Sequence, residues 1–301
     1  MNDVIKEIKK LDIKVEENVS LAKLTTYKVG GKARLIAYPD STKELLSLLK
    51  ILKKNNIKHK VLGNGSNLLF SSKLYDGCLI SLKKFDKCKF LSNNRIRVGA
   101  GFSLTRLSML AAKHSLTGLE FASGIPATVG GAVYMNAGAY KSDMGYVVSE
   151  VKVLTGEEEV ITLVNRELNF HYRSSFLQKH KDYIVLEVLF KLAKGKKEAI
   201  LEVIDNRRER RIESQPLNYP SCGSVFRNPE GDFAGRLIEE AGLKGYSIGG
   251  AKVSEKHANF IINYNNATSE DIHDLILYVH DQVKEKYGVD LRIEQEFVNW
   301  E

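Results

Sequence analysis

Apolar residues in the first third of the chain alternate between two rhythms. RLIAYP (34–39) has the short apolar run of a strand, and STKELLSLLKILKKNN follows it with apolar residues every three or four positions. Ser41 with Glu44 three residues on is a capping box at the start of that helix. KHKVLG then reads as a strand that runs into a glycine loop. The same style repeats: CLISL and RIRVGAG read as strands, and FSLTRLSMLAAKHSL as a short helix with Leu104, Leu107, Leu110 and Ala111 on one side. Two α+β units in tandem are expected.

From Tyr146 to Leu192 the period falls to two. VVSEVKVL, EEEVITL and DYIVLEVLFKL read as strands, with TGEE closing a hairpin. A basic helix is predicted from near Lys196 with Ile200, Leu201 and Ile204 on its buried stripe. Beyond a Pro/Gly-rich stretch, FAGRLIEEAG reads as a helix stopped by Gly242. The last helix takes Thr268 or Ser269 as its cap, buries Ile272, Leu275, Ile276, Val279 and Val283, and ends at Gly288. VDLRIEQEFV is a final strand. Neither an internal repeat nor a low-complexity linker interrupts the pattern.

With 301 residues, 43% of them hydrophobic, the chain has material for two or three domains. Its longest apolar runs, LLSLLKIL and DLILYV, are too short to span a bilayer, and the first residues mix Lys, Glu and Asp, so a cytoplasmic protein without membrane association is expected. Cys78, Cys88 and Cys222 are odd in number and show no CxxC spacing, and the histidines show no ligand grouping; neither disulfides nor a metal is expected. The net charge of +8 is scattered among 37 acids, which argues against a nucleic-acid partner. The densest run, NRRERRIES, reads either as the solvated face of a helix or as a positive wall of Arg207, Arg210 and Arg211, with Arg227 near, toward a phosphorylated ligand. Charge alone favours the solvated face.

Two glycine-rich stretches change this picture. LGNGSNLLF (62–70) follows a strand and gathers Gly63, Gly65, Ser66 and Asn67, so that successive amides can point at one anion. SGIPATVGGAVYMNAGAY (123–140) carries small residues that let a flat or pyrophosphate-bearing cofactor lie against the main chain. Neither has the spacing of a Walker or a Rossmann loop. Either alone reads as a tight turn; both together, with Gly30–Gly31, point to a dinucleotide. A third stretch, YPSCGSVFRNP (219–229), sets Cys222, Ser221 and Ser224 around Gly223, and the residues alone do not say which of them does chemistry.

TTYKVGG, GNGSNLL, GIPATVGGAVYMNAGAY, YRSS, YPSCGSVFRNP, AGLKGYSIGGAKVSEKHANFIIN and LRIEQEFV, in order from about Thr25 to Val298, resemble the UDP-N-acetylenolpyruvoylglucosamine reductases (MurB), flavoenzymes of bacterial peptidoglycan synthesis, in their shorter second type. The resemblance implies an α+β chain: a two-subdomain FAD-binding fold of the vanillyl-alcohol-oxidase/PCMH type over 1–85 and 86–200, then a C-terminal α+β substrate domain over 201–301. It further implies non-covalent FAD, NADPH as co-substrate, a UDP-sugar substrate and a monomer. Gly63, Asn64, Gly65, Ser66 and Asn67 match the pyrophosphate loop, and Gly124, Ile125, Pro126, Thr128, Gly130 and Gly131 the loop beside the flavin. Arg173 matches the arginine on the enolpyruvyl carboxylate, Glu294 the glutamate that sits with it, and Ser224 the proton donor. Tyr172 and Asn228 match substrate contacts, Arg210 and Arg227 are candidates for the diphosphate, and Lys252 and His257 shape the third domain. Hydride transfer followed by protonation needs no covalent intermediate, which makes Cys222 a packing residue and Ser221 a turn residue. The chain departs from the family pattern at Gln295 and Glu296, where Val and Arg are usual, and at Ser214, where Lys is usual. A flavin-dependent oxidase would account for the glycine loops but not for the C-terminal motifs, and a basic binding module would leave the loops idle.

Overall fold

The computed structural model describes residues 2–301. In chain order, α1 (Asn2–Lys9) leads into β1 (Lys14–Ser20) and β2 (Lys32–Tyr38), followed by α2 (Thr42–Lys54). The amide of Glu44 donates to the hydroxyl of Ser41 at 3.3 Å, capping α2, while the Glu44 carboxylate takes the amide of Asp40 at 2.9 Å, one residue before the cap. Next come β3 (His59–Leu62), β4 (Leu68–Phe70), β5 (Tyr75–Ser81), β6 (Cys88–Leu91), β7 (Arg95–Gly99) and α3 (Leu104–Lys113), whose cap is Ser103.

β8 (Leu116–Thr117) precedes α4 (Val129–Met135), the two-residue strands β9 (Gly138–Ala139) and β10 (Ser142–Asp143), and the predicted hairpin of β11 (Val148–Leu154) and β12 (Val160–Val164). Then follow β13 (Ile184–Lys191), β14 (Ala193–Lys194), α5 (Lys197–Ser214), α6 (Ala234–Glu240), β15 (Ser247–Ile248), β16 (Ala251–Val253), β17 (Ile261–Asn263), α7 (Ser269–Tyr287) and β18 (Glu296–Val298). Gly242 and Gly288, both at positive φ, end α6 and α7 where the sequence placed the stops. No helix among the described residues is long and apolar enough to cross a membrane.

The chain divides into two compact units, each gathered from separate stretches. Unit 1 takes the residues up to Glu17, Leu35–Asn64 and Gly77–Glu209; unit 2 takes Asn18–Arg34, Gly65–Asp76 and Arg210–Glu301. Unit 1 holds a five-stranded sheet in the order β12-β11-β13-β7-β6, with α4 against β13 and β7. Its core gathers Leu45, Leu48 and Leu52 of α2, Leu104 and Leu107 of α3, Val133 of α4 and Val151 and Val188 of the sheet. Another sheet runs β1-β2-β5-β3, with β3 and β5 parallel. Ile200 and Ile204 of α5 bury against Ala112 as their stripe predicts.

In unit 2, α7 packs its apolar stripe on the sheet β15-β16-β17 and beside α6, and β18 pairs in parallel with β4. Tyr27, Phe226, Leu237, Ile272 and Ile276 fill this second core.

Candidate functional site

The two glycine stretches meet in unit 1. A Cβ built on Gly63 would lie 2.8 Å from Oγ1 of Thr128, and Nδ2 of Asn64 donates to the carbonyl of Pro126 at 3.2 Å. The first loop then passes into unit 2, where Gly65 sits at φ +61° and a Cβ would stand 2.3 Å from the carbonyl oxygen of Leu24, so only glycine serves. Among the described residues, no acceptor takes the amides of Gly63, Asn64, Gly65 or Ser66. They form a run of main-chain donors of the kind that receives a phosphate.

Within the second stretch, Val129–Met135 closes into the helix α4. Thr128 caps it, and its first amides are consumed inside the protein: Val129 donates to Phe102 at 2.9 Å, Gly130 to Ala100 at 2.8 Å, and Gly131 to Oγ1 of Thr128 at 3.2 Å. Gly130 is small because Ala100 packs on it, at 3.0 Å from a built Cβ. Gly124, Ile125 and Pro126 precede the cap, with Oγ1 of Thr105 donating to the Ile125 carbonyl at 3.1 Å. Within unit 1, main-chain donors at Gly63 and Asn64 and the side-chain-poor backbone surface of Gly124 to Gly131 fit a dinucleotide; Gly65, Ser66 and Asn67 belong to unit 2.

Arg173 lies in a tight turn of unit 1, in which His171 and Ser174 exchange amide-to-carbonyl bonds at 3.0 Å. Its backbone is left-handed at φ +53°, a strained setting for a branched-chain-free but long side chain that the surroundings must impose. Asn136, 1% exposed, donates through Nδ2 to the His171 carbonyl at 2.8 Å; Nε2 of Gln178 donates to the Arg173 carbonyl at 3.1 Å; Ser175 donates to the Tyr134 carbonyl at 2.7 Å. The guanidinium donates to the Gly138 carbonyl at 2.8 Å and lies 5.1 Å from the centre of the Tyr172 ring, itself 51% exposed. Asn136 and Gly138 both come from the NAGAY end of the second glycine stretch.

Ser224 and Glu294 belong to unit 2. Ser224 is half-buried and follows Gly223, whose φ is +72°. The next two residues are held by Asn259 of KHANF: the Val225 amide donates to its carbonyl and the Phe226 amide to its Oδ1, both at 2.9 Å, while its Nδ2 returns to the Phe226 carbonyl at 2.8 Å. Phe226 bridges Ile293 in antiparallel fashion, and the Glu294 amide donates to the Val225 carbonyl at 2.8 Å. From the other side Nδ2 of Asn67 donates to the Glu294 carbonyl at 3.1 Å. Serine and glutamate thus sit on neighbouring, cross-bonded segments.

Cys222 is buried, with Sγ 3.1 Å from Oγ1 of Thr26, and burial pushes its thiol up to about 12, which removes it as a nucleophile at neutral pH. Gln295, one of the departures from the family pattern, is buried as well: it accepts from the hydroxyl of Tyr27 at 2.9 Å and donates to the Cys222 carbonyl at 3.4 Å. The residue after Glu294 is therefore a core polar link. Ser214, the other departure, turns back on its own helix and donates to the Arg210 carbonyl at 2.6 Å, whereas the Lys256 ammonium reaches the Ile212 carbonyl at the end of α5.

Arg210 is exposed on α5, and Arg227 is half-buried with its amide donating to the Arg292 carbonyl at 2.9 Å. Oδ1 of Asn228 accepts from the Ala234 amide at 3.1 Å, at the start of α6. None of these lines the cleft of about 670 Å³ that unit 2 forms from Gln215, Tyr219, Lys252, Ser254, Ile262 and Tyr264, with the Lys252 ammonium 4.6 Å from the Tyr264 ring centre. The sequence signal missed Asn136, Gln178 and Asn259, since amides that bond to main chain look like any surface polar residue. Burial pushes the His257 imidazole below its ordinary value.

Residues 33–164 match the model of the FAD binding domain, and residues 215–298 that of the UDP-N-acetylenolpyruvoylglucosamine reductase C-terminal domain. The chain is 47% identical to a UDP-N-acetylenolpyruvoylglucosamine reductase of Caldanaerobacter subterraneus subsp. tengcongensis over 98% of this chain and 97% of that one. It is 43% identical to UDP-N-acetylenolpyruvoylglucosamine reductase 1 of Bacillus cereus over 99% of each. Among solved structures, the UDP-N-acetylenolpyruvylglucosamine reductase (MurB) from Thermus caldophilus superposes with a TM-score of 0.82 at 36% identity, over 95% of this chain and 99% of that one. The glucose dehydrogenase Phl p 4.0202, at 15% identity and a TM-score of 0.52 over 65% of this chain and 44% of its own, shares the fold alone.

Proposed function

Since the chain belongs to the UDP-N-acetylenolpyruvoylglucosamine reductase family, oxidoreductases of peptidoglycan synthesis built on an FAD-binding domain, we propose that it uses NADPH to reduce the enolpyruvyl ether of UDP-N-acetylglucosamine enolpyruvate to UDP-N-acetylmuramate. The chemistry that FAD would supply, bound without a covalent link along the glycine stretches at Gly63 and at Gly124 to Gly131, is hydride for the methylene carbon, with NADPH as the source of electrons. The protein has to manage the charge and the proton that this transfer demands. An isolated alkene is a poor hydride acceptor, so the adjacent carboxylate must draw off negative charge as the bond forms.

Arg173 meets that charge. Its fork stays cationic and matches two carboxylate oxygens, and the strained, over-bonded turn that carries it fixes its direction before substrate arrives. Glu294, when protonated, can hydrogen-bond the enolate oxygens. Ser224 gives its proton to the carbon beside the carboxylate. A hydroxyl is a weak acid in water, but transfer to a carbanion-like carbon runs downhill, so orientation is what the site must supply. Tyr172 and Asn228 contact the sugar nucleotide, and Arg210 and Arg227 its diphosphate.

The observation that carries this reading is the joining of the segment after Ser224 to the Glu294 segment, by the bridge of Phe226 with Ile293 and the Glu294 amide donating to the Val225 carbonyl at 2.8 Å. The test is oxidation of NADPH that depends on UDP-N-acetylglucosamine enolpyruvate, measured with wild type and Ser224→Ala. The variant should keep reduction of FAD by NADPH while turnover falls roughly 100- to 10,000-fold. Equal loss in both half-reactions would remove Ser224 from its role. Reduced enzyme that reacts faster with oxygen than with the enolpyruvyl substrate would point to an oxidase instead.

A further inference from the structure

We propose that Asn259 is a positioning residue: its side-chain amide, clamped on the main chain of Phe226, sets the direction in which Ser224 presents its hydroxyl. The inference rests on the proton-donor role of Ser224 given above. All the residues concerned belong to unit 2. Among the described residues, no bond takes the main-chain amide or carbonyl of Gly223 or Ser224, so this pair is a two-residue span between fixed points. Gly223 stands at φ +72° with nothing within 4 Å of a built Cβ, and packing does not hold the span on that side.

Upstream, the fixed point is Cys222, whose carbonyl accepts from Nε2 of Gln295 at 3.4 Å and whose Sγ lies 3.1 Å from Oγ1 of Thr26. Downstream, residues 225–227 run between two edges. On one, the Glu294 amide donates to the Val225 carbonyl at 2.8 Å and the Arg227 amide to the Arg292 carbonyl at 2.9 Å. On the other, the Val225 amide donates to the Asn259 carbonyl at 2.9 Å, and the Asn259 side chain takes both polar groups of the Phe226 main chain. Its Oδ1 accepts the amide at 2.9 Å and its Nδ2 donates to the carbonyl at 2.8 Å. Asn259 is 3% exposed and Phe226 1%. Without that side chain, an amide and a carbonyl are left buried and unpaired, and the segment must twist to find other partners. Ser224, two residues away, takes up the twist. A hydroxyl that must face one carbon tolerates little of it, because misplacement by about 1 Å costs about 100-fold in rate.

Asn259→Ala removes both side-chain bonds; Asn259→Asp keeps an acceptor for the Phe226 amide and carries the test if the alanine variant does not fold. In the FAD-loaded protein, Asn259→Ala should hold FAD and accept electrons from NADPH at near wild-type rates. Reoxidation by UDP-N-acetylglucosamine enolpyruvate should slow roughly 10- to 100-fold, with a fall in kcat and little change in KM, and Asn259→Asp should lie between it and wild type. Until the carbon beside the carboxylate is protonated, the added hydrogen can return, and the hydrogen that reduced flavin delivers exchanges with solvent. In D2O, unreacted substrate recovered from the variants should therefore carry more deuterium on its methylene carbon than substrate recovered from wild type. Ile276→Val, a core change in the same unit, controls for lost stability: it should lower the melting temperature and leave reoxidation and deuterium content unchanged. Reoxidation at the wild-type rate, equal loss of both half-reactions, slow reoxidation without added deuterium, or the same slowing in Ile276→Val would each overturn the proposal. Wild-type protein that oxidises no NADPH with this substrate, or Ser224→Ala that turns over as fast as wild type, would instead sink the proposed function.

Discussion

Cys222 and Ser224 stand two residues apart, the first buried and the second half-buried. Burial pushes the Cys222 thiol up from an ordinary 9.0 to about 12, and the Cys78 thiol likewise to about 12. Unfolding exposes both, so protons are released on unfolding above about pH 9; the stability from burying neutral thiols is whole below pH 9 and is lost as pH rises toward 12. At pH 8 iodoacetamide should leave Cys78 and Cys222 unmodified in the native protein and reach half-buried Cys88 first, as mapped by mass spectrometry. Native labelling of Cys222 would contradict the assignment. Two of the left-handed glycines, Gly223 and Gly65, separate in the same way. Nothing lies within 4 Å of a Cβ built on Gly223, so Gly223→Ala should cost about 1–2 kcal/mol from backbone conformation alone. Gly65→Ala drives a Cβ to 2.3 Å from the Leu24 carbonyl oxygen and should also abolish FAD binding, read by thermal melts and flavin absorbance. Such close approaches are legible from sequence as glycine clusters. The jobs of Asn136, Asn259 and Gln295 are not, because a polar residue that bonds to distant backbone leaves no local pattern.

Among the elements, long ones with clean periodicity were legible and short ones were not. α7 keeps its cap, stripe and stop as read: Thr268 accepts from the Asp271 amide at 3.0 Å, and Asp271 takes the Thr268 amide at 2.9 Å. Thr268→Ala should lower stability by about 1 kcal/mol, about 2 °C in melting temperature for a chain of this size. An unchanged melt would show that Asp271, which also takes the Gly250 amide at 3.0 Å, anchors this end alone. α4 was hidden because a glycine pair occupies its first turn, and glycine weakens any helix pattern. The β9–β10 hairpin was hidden because its two turn residues, Tyr140 and Lys141, sit at φ +54° and +60°, where Asn-Gly is the usual signal. Tyr140 is held there by its hydroxyl, which donates to the Arg207 carbonyl at 3.0 Å, under a guanidinium 4.8 Å from the ring centre. The basic run thus has a packing role that charge counting does not reveal.

At the scale of the whole molecule, glycine chemistry indicated a dinucleotide and the ordered motifs indicated the family, but nothing local announced that each unit is assembled from separated stretches. Strand partners set that division, and pairing over long separations has no sequence period. The proposed donors for FAD are main-chain amides with no covalent link, so acid precipitation should release all flavin into the supernatant; flavin still attached to the pellet would refute non-covalent binding.

The bond between Tyr27 and Gln295 spans 268 positions. On a ribosome adding about 5–20 residues per second, Tyr27 waits roughly 13–54 seconds for its partner. Through that interval the early strands of unit 2 have backbone edges and an apolar tyrosine with nothing to cover them. Newly made chains should therefore be a substrate for chaperones, and for proteases, until the tail strand emerges.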